Sequence, residues 1–266
     1  MVFEKYKDAE RSKIGLIRLL LFFQILSIII ILLKKIQMRY IVQKLVRTNR
    51  VLYILWYNLW RSKTGDRVVL PKPGDRLYFD GYPRSGNTYL AGMIHYFFPD
   101  TIGSSHLHAI APLKIALKNK VPCLIIIRNP RDCVASNHFR KTNGKFVNQD
   151  LLNAQLLEYI DYYEFVLKKI NNLALVNFED VISNPRGVLN KLNKQLQLNT
   201  GIEIDENQIR EYDTFMMMKE KEKKAVSSSL PNEKRKTYKS KIVNLIESNP
   251  NYPRALKIYE TLIQKV

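Results

Sequence analysis

Leu77-Tyr78-Phe79-Asp80-Gly81, running into Tyr82-Pro83-Arg84-Ser85-Gly86-Asn87-Thr88, is the stretch on which the fold turns. Its first five residues suit a short buried strand, and Thr88–Phe97 carries the apolar content of a helix. A strand that passes through a glycine-containing turn into a helix directs backbone N–H groups and the positive end of a helix dipole at one point, which suits an anion. Gly81 and Gly86 stand five apart with Thr88 two beyond, so the frame overlays the nucleotide-binding pattern G-x-x-x-x-G-K-[ST] at all positions but one. Asn87 stands where the lysine belongs, and a cation sits earlier, at Arg84. A chance turn between strand and helix has the same glycines, so the loop must be weighed with the rest of the chain.

The second apolar strand, Val121–Ile127, separates the possibilities. In nucleoside-triphosphate enzymes with such a loop, this strand commonly ends in an acid that holds magnesium. Here it ends in Arg128, followed by Asn129-Pro130-Arg131-Asp132, and Ser136 lies eight residues beyond Arg128. A cation at that point suits a second phosphate better than a metal, and the serine hydroxyl can donate to the same anion. Around these two segments the pattern alternates. Helices are expected at Pro112–Lys118, Asp132–Arg140, Asp150–Ile170, Arg186–Leu196 and Asn251–Leu262, and a further strand at Leu173–Phe178. Alternation of this kind implies an α/β fold: a three-layer, P-loop-like domain around a central, mainly parallel sheet. Ligands of such sheets bind at the carboxyl ends of the strands.

These segments resemble the sulfotransferase superfamily that uses 3′-phosphoadenosine 5′-phosphosulfate (PAPS). Its first signature, Tyr-Pro-Lys-Ser-Gly-Thr-Thr-Trp, parallels Tyr82–Tyr89. Its second, Arg-Asn-Pro-x-Asp with a serine eight residues after the arginine, is matched by Arg128–Asp132 and Ser136. A third segment, Tyr-Glu-Asp followed by Asn-Pro, resembles Phe178-Glu179-Asp180 and Asn184-Pro185. The resemblance runs from about Leu77 to about Leu198. It implies that Arg84, Ser85, Gly86, Asn87, Thr88 and Tyr89 hold the 5′-phosphosulfate side of PAPS, that Arg128 and Ser136 hold its 3′-phosphate, and that Phe178 lies near the adenine. It also implies PAPS as co-substrate with no metal. Arg84 replaces the usual lysine, keeping the charge but presenting a planar fork. The family's catalytic histidine, in a Thr-His-Leu-Pro segment, aligns with His106 of Ser105-His106-Leu107-His108, so Arg84 and His106 are the expected catalytic pair. His108, Asp80 and Glu179 are the substitutes for the base. The family's Arg-Lys-Gly segment and glycine-rich loop have no counterpart, since no glycine follows Gly201; among the late cations of Lys219–Lys224 and Lys234-Arg235-Lys236, Arg235 is a candidate for that place.

Upstream, Ile14–Leu33 is the most apolar stretch, interrupted by Arg18, Gln24 and Ser27. Twenty residues suit a helix across a hydrocarbon core, and no small-residue cleavage site follows, so the expectation is an uncleaved single-pass anchor; an apolar helix packed on the domain or lying in the interface is the other reading. Residues 34–61 are basic and aromatic and contain no acid, which reads as an amphipathic helix at a membrane surface. Positive charge is slightly greater on the C-terminal side of the stretch, favouring a cytoplasmic catalytic side. Pro71–Asp75 supplies turn residues, and the division expected is residues 1–66 for the anchor and basic segment and 67–266 for the sulfotransferase domain.

The chain has 266 residues, 46% hydrophobic and 11% aromatic, which supports a folded core rather than a disordered chain. The 43 Lys+Arg against 24 Asp+Glu give a formal charge of +19 and point to an anionic partner. Cys123 and Cys133 form no disulfide framework and no metal-ligand pair, and read as buried small hydrophobes. None of the four histidines forms a His-Glu-x-x-His pattern. The expected function is sulfuryl transfer from PAPS to a hydroxyl acceptor: a glycan, a glycolipid or another small molecule, with membrane contact through residues 14–33 and no nucleic acid. The competing readings are a P-loop kinase or NTPase, and a non-enzymatic basic protein tethered to a membrane or bound to nucleic acid.

Overall fold

The computed structural model describes residue 24 and residues 36–64, 69–197, 204–221 and 233–266. Apart from Gln24, the expected anchor Ile14–Leu33 lies outside the described residues. Among the described residues no helix is long and apolar enough to cross a membrane.

Four strands form one all-parallel sheet: β1 (Leu77–Gly81), β2 (Ile102–Ser105), β3 (Cys123–Ile127) and β4 (Ala174–Asn177), in the order β2-β1-β3-β4. Gly81 pairs with Ile126, and Ile127 with Asn177, so the strands end close to one level. Successive strand residues point to opposite faces, and the apolar runs Leu77–Phe79 and Cys123–Ile127 therefore feed two separate cores. Tyr78, Cys123, Ile125, Ile127 and Leu175 lie on one face, Leu77, Phe79, Leu124, Ile126 and Val176 on the other.

The first face is covered by α4 (Ile110–Lys118), α5 (Pro130–Thr142), α6 (Gln149–Lys168), α10 (Glu233–Glu247) and α11 (Tyr252–Ile263), and the second by α3 (Asn87–Phe97), α8 (Pro185–Leu196) and α9 (Glu206–Lys221). A short α7 (Phe178–Ser183) directly follows β4. Several starts are written locally. Asn129 and Asn184 cap α5 and α8, accepting from Arg131 N and Gly187 N, each just before a proline that can occupy the first helical position without losing a needed donor.

At the N-terminal end, α1 (Ile36–Thr48) and α2 (Arg50–Thr64) are helical, and the chain divides into compact units at Met1–Lys44 and Leu45–Val266. The second unit thus begins about twenty residues before the expected boundary at 66/67. Tyr53 and Tyr57 are the reason: both are buried with Ala109 and Ala111, so two aromatics expected at a lipid surface belong to the core. Val51, Ile54 and Trp56 of the same helix remain exposed. Both cysteines are buried, and burial pushes the Cys123 thiol up to about 12, in keeping with an inert packing role.

Candidate active site

The order β2-β1-β3-β4 sends the chain one way after β1 and the other way after β3, so a crevice opens above the carboxyl ends of these two strands. A cleft of about 790 Å³ lies there. Arg84, Arg128, Arg140, Lys236 and Lys239 line it against three carboxylates, Asp132, Asp213 and Glu233. Two of those carboxylates are engaged: Lys239 Nζ lies 2.6 Å from Asp132 Oδ1, and Tyr89 donates to Asp213 Oδ1 at 2.6 Å. What remains favours an anion.

The loop after β1 is shaped by two left-handed residues, Arg84 (φ 70°) and Gly86 (φ 91°). A side chain at Gly86 would also meet the Phe178 ring, 2.5 Å from the place of a Cβ, and one at Gly81 would meet the Ile126 carbonyl at 2.5 Å. The N–H groups of Tyr89 and Leu90 return to Gly86 O, and that of Ser85 to Tyr82 O. The N–H groups of Gly86, Asn87 and Thr88 are left without backbone acceptors among the described residues, at the N-terminus of α3.

Arg84, Gly86, Asn87, Thr88, Tyr89, His106, Arg128, Ser136 and Phe178 all line the cleft. Ser85 does not. Its side chain is fully buried beneath the loop, with Oγ 3.5 Å from the Tyr163 hydroxyl. Asn87 also turns inward: Nδ2 donates to Tyr82 O at 2.9 Å, leaving the backbone N–H as its contribution to an anion. This explains its residue type. A short amide closes the loop on itself where a lysine would reach out.

Arg128 projects from the end of β3. Its Nη1 donates to Arg84 O at 2.9 Å, its guanidinium lies 3.9 Å from the Phe178 ring centroid, and its buried Nε has no hydrogen-bond partner among the described residues. A buried cationic donor of this kind is suited to an anionic acceptor. Arg84 Nε donates to Ser136 Oγ at 3.0 Å, which ties the loop to α5. Arg235, the expected late cation, contributes no described side chain; Lys236 and Lys239, from the same basic run on α10, line the cleft.

The opposite wall carries two histidines, both left-handed: His106 (φ 60°) and His108 (φ 48°), with ring centroids 5.9 Å apart. His106 Nδ1 lies 2.8 Å from Ser105 Oγ and Nε2 3.5 Å from Thr88 Oγ1. Burial lowers its pKa, the neighbouring His108 lowers it further, and Asp80 works against both. His108 is bound to Asp80, whose fully buried carboxylate also takes hydrogen bonds from the Tyr78 hydroxyl and Gly81 N. The sequence names His108 and Asp80 each as a substitute base, but nothing in it shows that the two are joined. Sequence reasoning also missed Arg47, which donates to the His108 carbonyl and pairs with Glu158 Oε2 at 3.3 Å. Glu179 is not among the cleft-lining residues. Among the described residues no group of three His, Cys, Asp or Glu side chains is placed to hold a metal ion.

Comparison with known proteins gives two findings. The family model described as the sulfotransferase domain matches residues 46–244. Among solved structures, the crystal structure of mouse sulfotransferase SULT7A1 complexed with PAP aligns at 16% identity over 74% of this chain and 86% of that one, with a TM-score of 0.43. No curated protein sequence matches.

Proposed function

The chain belongs to the sulfotransferase family, and from that premise we propose that it moves a sulfuryl group from PAPS to a hydroxyl of a glycan or membrane-associated acceptor. The observation that carries the donor assignment is the pair of separate anion positions flanking one crevice. The orphan N–H groups at Gly86, Asn87 and Thr88 form one, and Arg128 with Ser136 the other. A nucleotide with phosphates at both its 5′ and 3′ positions fits that spacing of chemistry. Lys236 and Lys239 add charge to the same crevice, and Phe178 with Tyr89 supplies aromatic surface for a base. Bound there, PAPS supplies an activated sulfuryl group on a phosphate leaving group.

The residues divide the work. Arg84 and the N–H groups at the start of α3 stabilise negative charge on the leaving phosphate as it develops, a preorganised arrangement that costs no reorganisation at the moment of reaction. An imidazole on the histidine wall removes the acceptor's proton, with His106 the residue the resemblance points to. The membrane-associated acceptor is supported by the acid-free segment 34–61 and by the exposed Val51, Ile54 and Trp56. The kinase reading is disfavoured by Asn87, whose amide is held inside the loop, and by Arg128 at the strand end that would need an acid.

The test is incubation of the full chain with labelled PAPS and a panel of glycans, lipids and phenols. Labelled sulfate on one acceptor class is expected. Phosphate transfer from ATP with no response to PAPS would overturn the reading.

A further inference from the structure

We propose that His108, held by Asp80, is the general base that takes the proton from the acceptor hydroxyl; this rests on the sulfotransferase reading and assigns its proton acceptor. The case begins with the ring's inner nitrogen. His108 Nδ1 lies 2.7 Å from Gly81 O and 3.0 Å from Asp80 Oδ1. Both partners only accept, so Nδ1 carries the hydrogen and the neutral ring keeps its lone pair on Nε2. His108 lines the cleft, and Nε2 has no hydrogen-bond partner among the described residues. The nitrogen that can accept a proton is therefore fixed and unengaged.

The second observation is how firmly this geometry is held. A left-handed histidine is strained and persists where its surroundings over-determine it. Here the backbone is gripped from both sides: His108 N donates to Asp80 Oδ2 at 2.7 Å, and Arg47 donates to the His108 carbonyl. Asp80 is wholly buried and accepts hydrogen bonds from the Tyr78 hydroxyl, Gly81 N and His108 N, and its Oδ1 lies 3.0 Å from His108 Nδ1. A buried carboxylate behind Nδ1 holds the ring's tautomer and orientation, a role such a group plays in a Ser-His-Asp triad.

His106 is left-handed too, but its Nδ1 faces a hydroxyl that fits either tautomer, no carboxylate pairs with its ring among the described residues, and its burial opposes the charged form. In the proposed step the acceptor O–H proton passes to His108 Nε2. The freed oxygen pair forms the new O–S bond while the S–O bond to the 5′-phosphate breaks, its pair leaving on phosphate. The imidazolium later gives its proton to solvent, and Asp80 is a positioning residue throughout.

The experiment uses the full chain, with adenosine 3′,5′-bisphosphate (PAP) as the binding probe and labelled PAPS for turnover, counting transfer to the acceptor found in the panel and sulfate released to water. His108→Gln is expected to lower turnover by about 100-fold or more with PAP affinity within about twofold. His106→Gln is expected to lose less, and Asp80→Asn to lower kcat with little change in KM. In parallel, histidine-15N NMR, with the four rings assigned through single variants, is expected to find His108 protonated at Nδ1 and bare at Nε2. An Nε2-protonated neutral His108, or a His108→Gln chain that turns over at the parent rate while His106→Gln does not, overturns the proposal. If a variant fails to fold, the tautomer in the parent decides. A parent that binds no PAP strikes the sulfotransferase reading itself, a different result from either of these.

Discussion

Gly86 sits where three demands meet: a left-handed φ of 91°, the start of α3, and the face of Phe178. Only a residue without Cβ meets all three, because any side chain is strained by the backbone angle and collides with a ring that is itself stacked on Arg128. Gly86→Ala is therefore expected to weaken PAP binding at least tenfold, measured by titration calorimetry, by displacing Phe178 and with it Arg128; unchanged affinity would contradict this reading of the loop. This residue was legible in the sequence because its spacing from Gly81 and Thr88 is a pattern with a mechanism. Ser85 and Asn87 carry the same signature, but the direction in which each side chain turns was not legible. It is decided by Tyr163, some 80 residues away in sequence, and by a carbonyl five residues back.

Among the elements, α10 is the least expected and bears most on the site. Its sequence, rich in lysine, reads as a solvated basic face, yet Tyr238, Ile242 and Ile246 are buried in the core and turn Lys236 and Lys239 toward the cleft. Tyr238 locks it in place, donating to Phe146 O at 2.7 Å and lying 2.8 Å from His138 Nδ1 on α5. His138 Nε2 in turn lies 3.1 Å from the carbonyl oxygen and 3.3 Å from the N of Asn148, the cap of α6. Burial lowers the His138 pKa, with the hydrogen bond to Asn148 acting against it and Lys141 acting with it; His106 is lowered likewise. Below about pH 6.5 the unfolded chain takes up protons that the folded rings decline, so stability falls as pH drops through that value. The melting temperature is expected to decrease between pH 7.5 and 5.5, with part of the decrease absent in His138→Gln. A flat profile in the parent would refute the linkage. Long periodic segments such as α6 and uniformly apolar ones such as β3 were readable in advance; β2, with one large apolar residue in four, and α10 were not, since their burial depends on neighbours rather than on their own pattern.

At the scale of the whole molecule, the parallel sheet followed from the alternation of segments, while its strand order and the start of the compact unit did not. Residues 45–64 share the basic, aromatic composition of the segment before them, and composition does not report that Tyr53 and Tyr57 pack on Ala109 and Ala111, or that Arg47 reaches His108. A chain of residues 45–266 is expected to bind PAP as the full chain does. One of residues 67–266 is expected to lose at least about 2 kcal/mol of stability from unburying two tyrosines, read as a lower denaturation midpoint. Equal stability of the two would return the boundary to 66/67. The strongly basic surface, at +19, suits an anionic donor and an anionic membrane face alike, so charge alone does not identify the donor. The proposed donor rests on the two anion positions. The most direct measurement is the affinity of the full chain for PAP against adenosine 5′-monophosphate, which differs only in lacking the 3′-phosphate. Tighter binding of PAP by about 100-fold, with the gap closed by Arg128→Ala, is the predicted result. Equal affinity for the two, or tighter binding of magnesium ATP than of PAP, would contradict it.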